Sequence, residues 1–315
     1  RDSNKASSVA HLWKLADGSK GTLTLFDADL IQPGSFKAAI EGCELVIHTA
    51  SPFVIKGFTD PYEALIRPAV EGTDNVLKSC NAVESVRRVV LTSSVASIYG
   101  DAVEILKAPG GVFTEQLWNN TSSESHQPYS YSKVMAERRA WEICKNQSRW
   151  DLVTINPSLV MGPSLTTQTQ STSIDVMRDL GSGRQRTGVP LLEFGIVDVR
   201  EVAKAHISAG FNPDAEGRHI LSAHTASLLQ MATILRARFP KYPLPKKQLP
   251  KFLVKLVAPI AAGVSRDFIQ KNVGYALKFD NSRSTSSLGV RYRPLTETLC
   301  EHFAQMIEDG LLKRR

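Results

Sequence analysis

Cysteine is scarce in this chain. Cys43, Cys80, Cys144 and Cys300 are the only four in 315 residues, and they stand far apart. Without a CxxC pair there is no zinc-binding spacing and no disulfide framework, so no metal is expected and a reducing, cytoplasmic setting fits. Long apolar runs are lacking too. The most apolar stretch, FLVKLVAPIAAGV at 252–264, contains Lys255 and Pro259 and is too short to span a bilayer, which predicts a helix of a substrate lobe without stable membrane insertion. Blocks of one charge are not prominent: 38 basic and 31 acidic residues are scattered along the chain, and the resulting +7 does not by itself call for nucleic acid. An anionic small-molecule cofactor suffices to explain a mild basic excess. No signal peptide opens the sequence, so the sequons at Asn119, Asn120 and Asn146 are read as chance. No internal repeat is evident, and nothing in the composition specifies an oligomeric state.

What is present is a rhythm. GTLTLFDADL (21–30), CELVIHTASP (43–52), RRVVLTSS (87–94) and WDLVTINPSLV (150–160) are short apolar, β-branched runs that end in small or polar residues. They read as buried strands. Helical stretches at 34–41, 60–80 and 129–147 lie between them. This alternation predicts an α/β fold, a doubly wound parallel sheet of Rossmann type, with ligands at the carboxyl ends of the strands. Thr49, Ser51, Ser93 and Ser94 stand at such ends. Beyond about residue 163 the regularity breaks into a Ser/Thr/Gln stretch (164–173), a strand in LLEFGIV, a helix capped by Asp198, RHILSA at 218–223, a proline-rich segment at 240–250 and a last amphipathic helix near 295–312. The expected division is a dinucleotide-binding domain over 1–163 and, over 164–315, mainly a substrate-binding lobe with some segments returning to the sheet.

Two tyrosines stand four residues before a lysine. Tyr242 and Lys246 do so within YPLPK, where two prolines forbid the helix that would bring them together. Tyr129 and Lys133 do so within PYSYSK, on a predicted helix, so both lie on one face. Tyr131 points the other way. Ala136, Ala140 and Ile143 continue the Tyr129 row, a small-residue stripe suited to a sheet and a cofactor; Tyr131 shares its row with Met135, Arg138 and Glu142. Tyr129 is therefore the candidate general acid or base. A nearby ammonium is expected to lower its phenol from about 10 toward neutrality. Ser94, at a strand end, is the candidate hydrogen-bond donor to the same substrate oxygen. His126 and Tyr99 are candidate substrate contacts, and Trp118 a packing residue.

On DADL (27–30), GCELVIHTASP (42–52), RPAVEGTDNVLKSC (67–80), VRRVVLTSS (86–94), FTEQLW (113–118), PYSYSKVMAE (128–137), INPSLVMGP (155–163), VDVREVAKAHI (197–207) and FDNSRSTSSLG (279–289), the chain resembles the extended short-chain dehydrogenase/reductases. The branch it resembles is that of the dihydroflavonol and cinnamoyl-CoA reductases. The resemblance implies catalytic Ser94, Tyr129 and Lys133, with Lys133 also on the nicotinamide ribose. It further implies Asp29 and Leu30 at the adenine, Thr49, Ala50 and Ser51 along the cofactor, and Pro157, Leu159 and Val160 beside the nicotinamide. Arg1 matches the arginine that meets the 2′-phosphate of NADP, so NADP(H) is the expected cofactor, with NAD(H) possible. Tyr99 stands where flavonoid reductases of this branch carry an asparagine, which argues against a dihydroflavonol substrate.

The family's opening strand, glycine-rich turn and helix, which hold the pyrophosphate, have no counterpart in this sequence. The expectation is an N-terminally truncated chain that binds cofactor poorly or folds poorly. The expected activity is reduction of an aldehyde or ketone by hydride transfer, with Tyr129 as proton donor and a small-molecule carbonyl or alcohol as the partner. The rival readings are an NAD-dependent nucleotide-sugar epimerase or dehydratase, a hydroxysteroid-type dehydrogenase, and a non-catalytic dinucleotide sensor.

Overall fold

Strands whose side chains are apolar on both faces need cover on both sides, and the arrangement of the chain follows from that need. The computed structural model describes residues 6–51, 59–167 and 171–313. Its strands, in chain order, are β1 (Leu45–His48), β2 (Arg88–Thr92), β3 (Asp151–Pro157), β4 (Leu159–Met161), β5 (Val189–Pro190), β6 (Glu193–Asp198), β7 (Gly217–Leu221), β8 (His224–Ser227) and β9 (Gln248–Leu249). The main sheet has the order β1-β2-β3-β7, all parallel, with Val89 opposite Leu152 and Val153 opposite Gly217.

Alternation along each strand divides the core. Val89, Leu91 and Leu152 pack with Val76, Leu77 and Cys80 of the helix Arg67–Ala82 and with Ala140 and Ile143 of the helix Pro128–Lys145. Val90, Val153 and Ile155 face the other way, onto Ala205 and Ala209 of the helix Val199–Phe211. Asp198 caps that last helix as expected, accepting from the Arg200 N–H at 2.9 Å, while Glu201 reaches back to the Asp198 N–H at 3.2 Å. A second core gathers Met177, Leu180, Met231, Leu235, Leu299 and Phe303 in the later half of the chain. There β4, β6 and β8 form a small mixed sheet and β5 pairs with β9. From the later half of the chain, β7 joins the main sheet beside β3.

One expected strand is absent. Residues 22–29 have no strand pairing, because no neighbouring strand among the described residues offers them a ladder. Side-chain bonds hold the end of this segment instead. Asn75 Nδ2 donates to the carbonyls of Asp29, Leu30 and Gln32 at 3.3, 3.1 and 2.6 Å, and Asn75 Oδ1 accepts from the Gly34 N–H at 2.8 Å. Leu30 lies so close to the helix that a Cβ on Gly72 would meet it at 3.1 Å.

Candidate active site

The helix Pro128–Lys145 begins abruptly. Gln127 takes a left-handed conformation (φ 57°) and Pro128 occupies the first turn, where its missing N–H costs nothing. From that start the helix runs past the carboxyl ends of β1 and β2. Lys133 is 9% exposed and donates to Ser51 Oγ, just after β1, at 2.8 Å. Its Nζ lies 5.6 Å from the centroid of the Tyr129 ring, so the two stack as the four-residue spacing requires. One turn further on, Glu137 accepts from Ser93 Oγ, at the end of β2, at 2.5 Å. The same face of one helix thus reaches two strand ends.

Ser94 follows Ser93. Its hydroxyl accepts from the Ala96 N–H at 3.1 Å, capping the 3-10 turn Val95–Ser97. Its carbonyl accepts from Ser97 Oγ at 2.7 Å and from Asn156 Nδ2 at 3.3 Å. Asn156 in turn donates to Glu137 Oε2 at 2.9 Å. The backbone at Ser94 and the helix carrying Tyr129 and Lys133 are therefore tied through one buried carboxylate.

That carboxylate has a partner invisible in the local sequence. Arg218, on β7, donates from Nε to Glu137 Oε1 at 2.7 Å, and its Nη1 donates to the carbonyls of Glu115 and Leu117 at 2.8 and 2.6 Å. Its guanidinium also sits 3.9 Å from the centroid of the Trp118 ring, so Trp118 does pack, as expected, and against a cation. Burial alone would raise the Glu137 carboxyl, but the charge and hydrogen bond of Arg218, with bonds from Ser93 and Ser97, hold it below the ordinary range. Glu137 lies on the row of Tyr129 and Lys133. That spacing was available as a signal for it; Arg218 had none.

The electrostatics correct one expectation. The Tyr129 phenol is not lowered: burial pushes it up to about 12. Burial also pulls the Lys133 ammonium down to about 8, so the lysine has lost its charge before the pH at which the phenol would ionise. His48, the last residue of β1, is held neutral, down to about 4, by burial and then by the charge of Lys133.

The other expected site residues are placed as follows. Thr49 and Ala50 are exposed just beyond β1; Pro157 ends β3 and is buried, while Leu159 and Val160 are half-buried on β4. Asp29 is exposed, and its Oδ1 accepts from the Ile31 N–H of its own turn at 3.0 Å. Arg1 lies outside the described residues. Tyr99 stacks on Phe113, centroids 4.4 Å apart, and tilts against Phe279. His126 Nε2 lies 2.6 Å from Asp101 Oδ2, and its Nδ1 lies 3.6 Å from Asp267 Oδ2. Among the described residues no group of His, Cys, Asp and Glu could hold a metal ion.

The model of the NAD dependent epimerase/dehydratase family matches residues 2–221, well over half of the chain. The chain belongs to that family. Its relatives include several reductases. It is 35% identical over 314 residues to tetraketide alpha-pyrone reductase 1 of Arabidopsis thaliana, covering 99% of this chain and 87% of that one. It is 41% identical over 249 residues to cinnamoyl-CoA reductase CAD2 of Medicago truncatula, covering 78% and 74%. Among solved structures, yeast methylglyoxal/isovaleraldehyde reductase Gre2 complexed with NADPH superposes with a TM-score of 0.78 at 26% identity, covering 98% of this chain and 90% of that one. The family member described here is thus an enzyme, an oxidoreductase related to the cinnamoyl-CoA and anthocyanidin reductases. No helix among its described residues is long and apolar enough to cross a membrane.

Proposed function

We propose that this chain is an NADP(H)-dependent reductase of aldehydes or ketones, with Tyr129 as proton donor. The observation that carries the proposal is the ammonium of Lys133, buried beside the Tyr129 ring with one hydroxyl, Ser51, as its hydrogen-bond acceptor and no carboxylate paired with it among the described residues. A buried cation with donors to spare suits the hydroxyls of a ribose. The residues present therefore fit the nicotinamide-ribose end of the cofactor. The relative Gre2 is complexed with NADPH, which supports NADP(H) over NAD(H).

When bound, the cofactor supplies the hydride. The chain's residues act on the substrate oxygen. A phenol near pH 12 stays protonated at neutral pH, which is the form a proton donor to a reduced carbonyl requires. Ser94 offers its hydroxyl to the same oxygen as negative charge develops there. Lys133 holds the ribose and lends the phenol its charge. This division favours the reductive direction, because oxidation needs the phenolate that burial opposes. Residues 1–163 supply the cofactor side and the later lobe the substrate side, and the separate, unbridged cysteines suit a cytoplasmic enzyme.

The deciding experiment follows NADPH oxidation at 340 nm with a panel of aldehydes and ketones, for the native chain and for Tyr129→Phe and Tyr131→Phe. Turnover is expected to vanish in Tyr129→Phe and to persist in Tyr131→Phe. The reverse pattern removes Tyr129 from the role. Retained, regenerated NAD with no net oxidation by any carbonyl points to an epimerase instead.

A further inference from the structure

The helix Lys251–Ala262 turns its apolar side outward. Phe252, Leu256 and Ile260, four residues apart, form one stripe and are 74%, 63% and 89% exposed; Val257 beside them is 47% exposed. The opposite face is the buried one, where Val254 packs with Ile269 and Val273. So large an unburied apolar stripe on one helix is unusual for a surface that meets only water.

The basic residues are less evenly spread than the composition implies. Between 241 and 271 stand Lys241, Lys246, Lys247, Lys251, Lys255, Arg266 and Lys271, against the single acid Asp267. This segment holds nearly all of the chain's excess of +7. Lys255 lies one residue before Leu256, along one edge of the stripe, whereas the Lys251 ammonium turns back to the Gln270 carbonyl at 2.9 Å and the Tyr275 ring. Lys246 and Lys247 are exposed just before the helix.

We propose that this helix seats the enzyme on the surface of an anionic phospholipid bilayer. Phe252, Leu256 and Ile260 enter the boundary between headgroups and acyl chains, and the lysines meet the lipid phosphates. The helix lies on the membrane and does not cross it. Charge complementarity favours a lipid surface over a second copy of the chain, because a two-fold contact would bring the same lysine-edged patch against itself. The neighbouring helix connects this surface to the candidate site: in Arg266–Asn272, Asn272 donates to Asp101 Oδ1 at 2.7 Å, and Asp101 also holds His126, in the loop before the Tyr129 helix.

The test is co-sedimentation of the full chain with vesicles of phosphatidylcholine alone or with about 30% phosphatidylserine. Binding is expected to the anionic vesicles only, and to fall at least about tenfold between 0.1 and 1 M salt, as the screening length shrinks from about 10 to about 3 Å. Phe252→Glu combined with Ile260→Glu should abolish it. Lys246→Glu combined with Lys247→Glu, which leaves the helix untouched, should weaken it while circular dichroism and elution volume stay native. Absence of binding to anionic vesicles, equal binding to neutral ones, or full binding by the Phe252/Ile260 variant overturns the proposal. So does a native dimer that the Phe252/Ile260 variant converts to monomer without any vesicle binding, since the stripe is then an interface between copies.

Discussion

Arg218 Nε lies 2.7 Å from Glu137 Oε1, joining β7 to the helix of Tyr129 and Lys133 across 81 residues of sequence, and both side chains are nearly sealed from water. Removing one member of such a pair strands the other charge where nothing solvates it. Glu137→Ala and Arg218→Ala are each expected to destabilise the fold by about 3–5 kcal/mol, read from urea midpoints at unchanged slope. The double variant should cost less than the sum of the two. Strict additivity would mean that the pair is not coupled.

Ser94→Ala removes a hydroxyl whose proposed partner is the substrate oxygen. We expect kcat to fall about 100-fold or more, with cofactor affinity, measured by NADPH fluorescence, within about a factor of two of native. An equal loss in both would place Ser94 in folding or cofactor binding.

Lys133 should leave a mark on the pH profile. Its folded value is lowered to about 8, so the ammonium is present below that pH and is lost as pH rises through it. The kcat/KM for carbonyl reduction is expected to decline above about pH 8, and Lys133→Arg, which keeps its charge, should move the decline to higher pH even if overall activity falls. An alkaline limb unmoved by the arginine belongs to another group.

Three histidines, His48, His219 and His302, are held down to about 4 mainly by burial. Unfolded, each titrates near 6.5, so between about 4 and 6.5 the unfolded chain binds more protons. Stability is therefore full above pH 6.5 and is lost as pH falls toward 4, by up to about 1.4 kcal/mol per pH unit for each histidine. Thermal midpoints between pH 7 and 4.5 check this, and His302→Gln should flatten the slope by about a third if the three contribute equally.

Patterns that act over a few residues were legible in the chain. The apolar runs at 45–48, 88–92 and 151–157 form strands because a sheet covered on both faces demands continuous β-branched residues. The row through Ala140 and Ile143 set the buried face of the Tyr129 helix, and Asp198 marked a helix start through its own carboxylate. Tertiary structure decided the rest. Residues 22–29 have strand composition, yet a strand exists only when a neighbour supplies its ladder. Glu137 meets Arg218 only because β7 returns to the main sheet. Lys133 and Tyr129 were expected to pull the phenol down, and burial pushed it up, since desolvation depends on everything packed around a group and not on its place in a motif. The amino-acid order by itself determined which residues are candidates for the chemistry; the packing decided how each of them is charged.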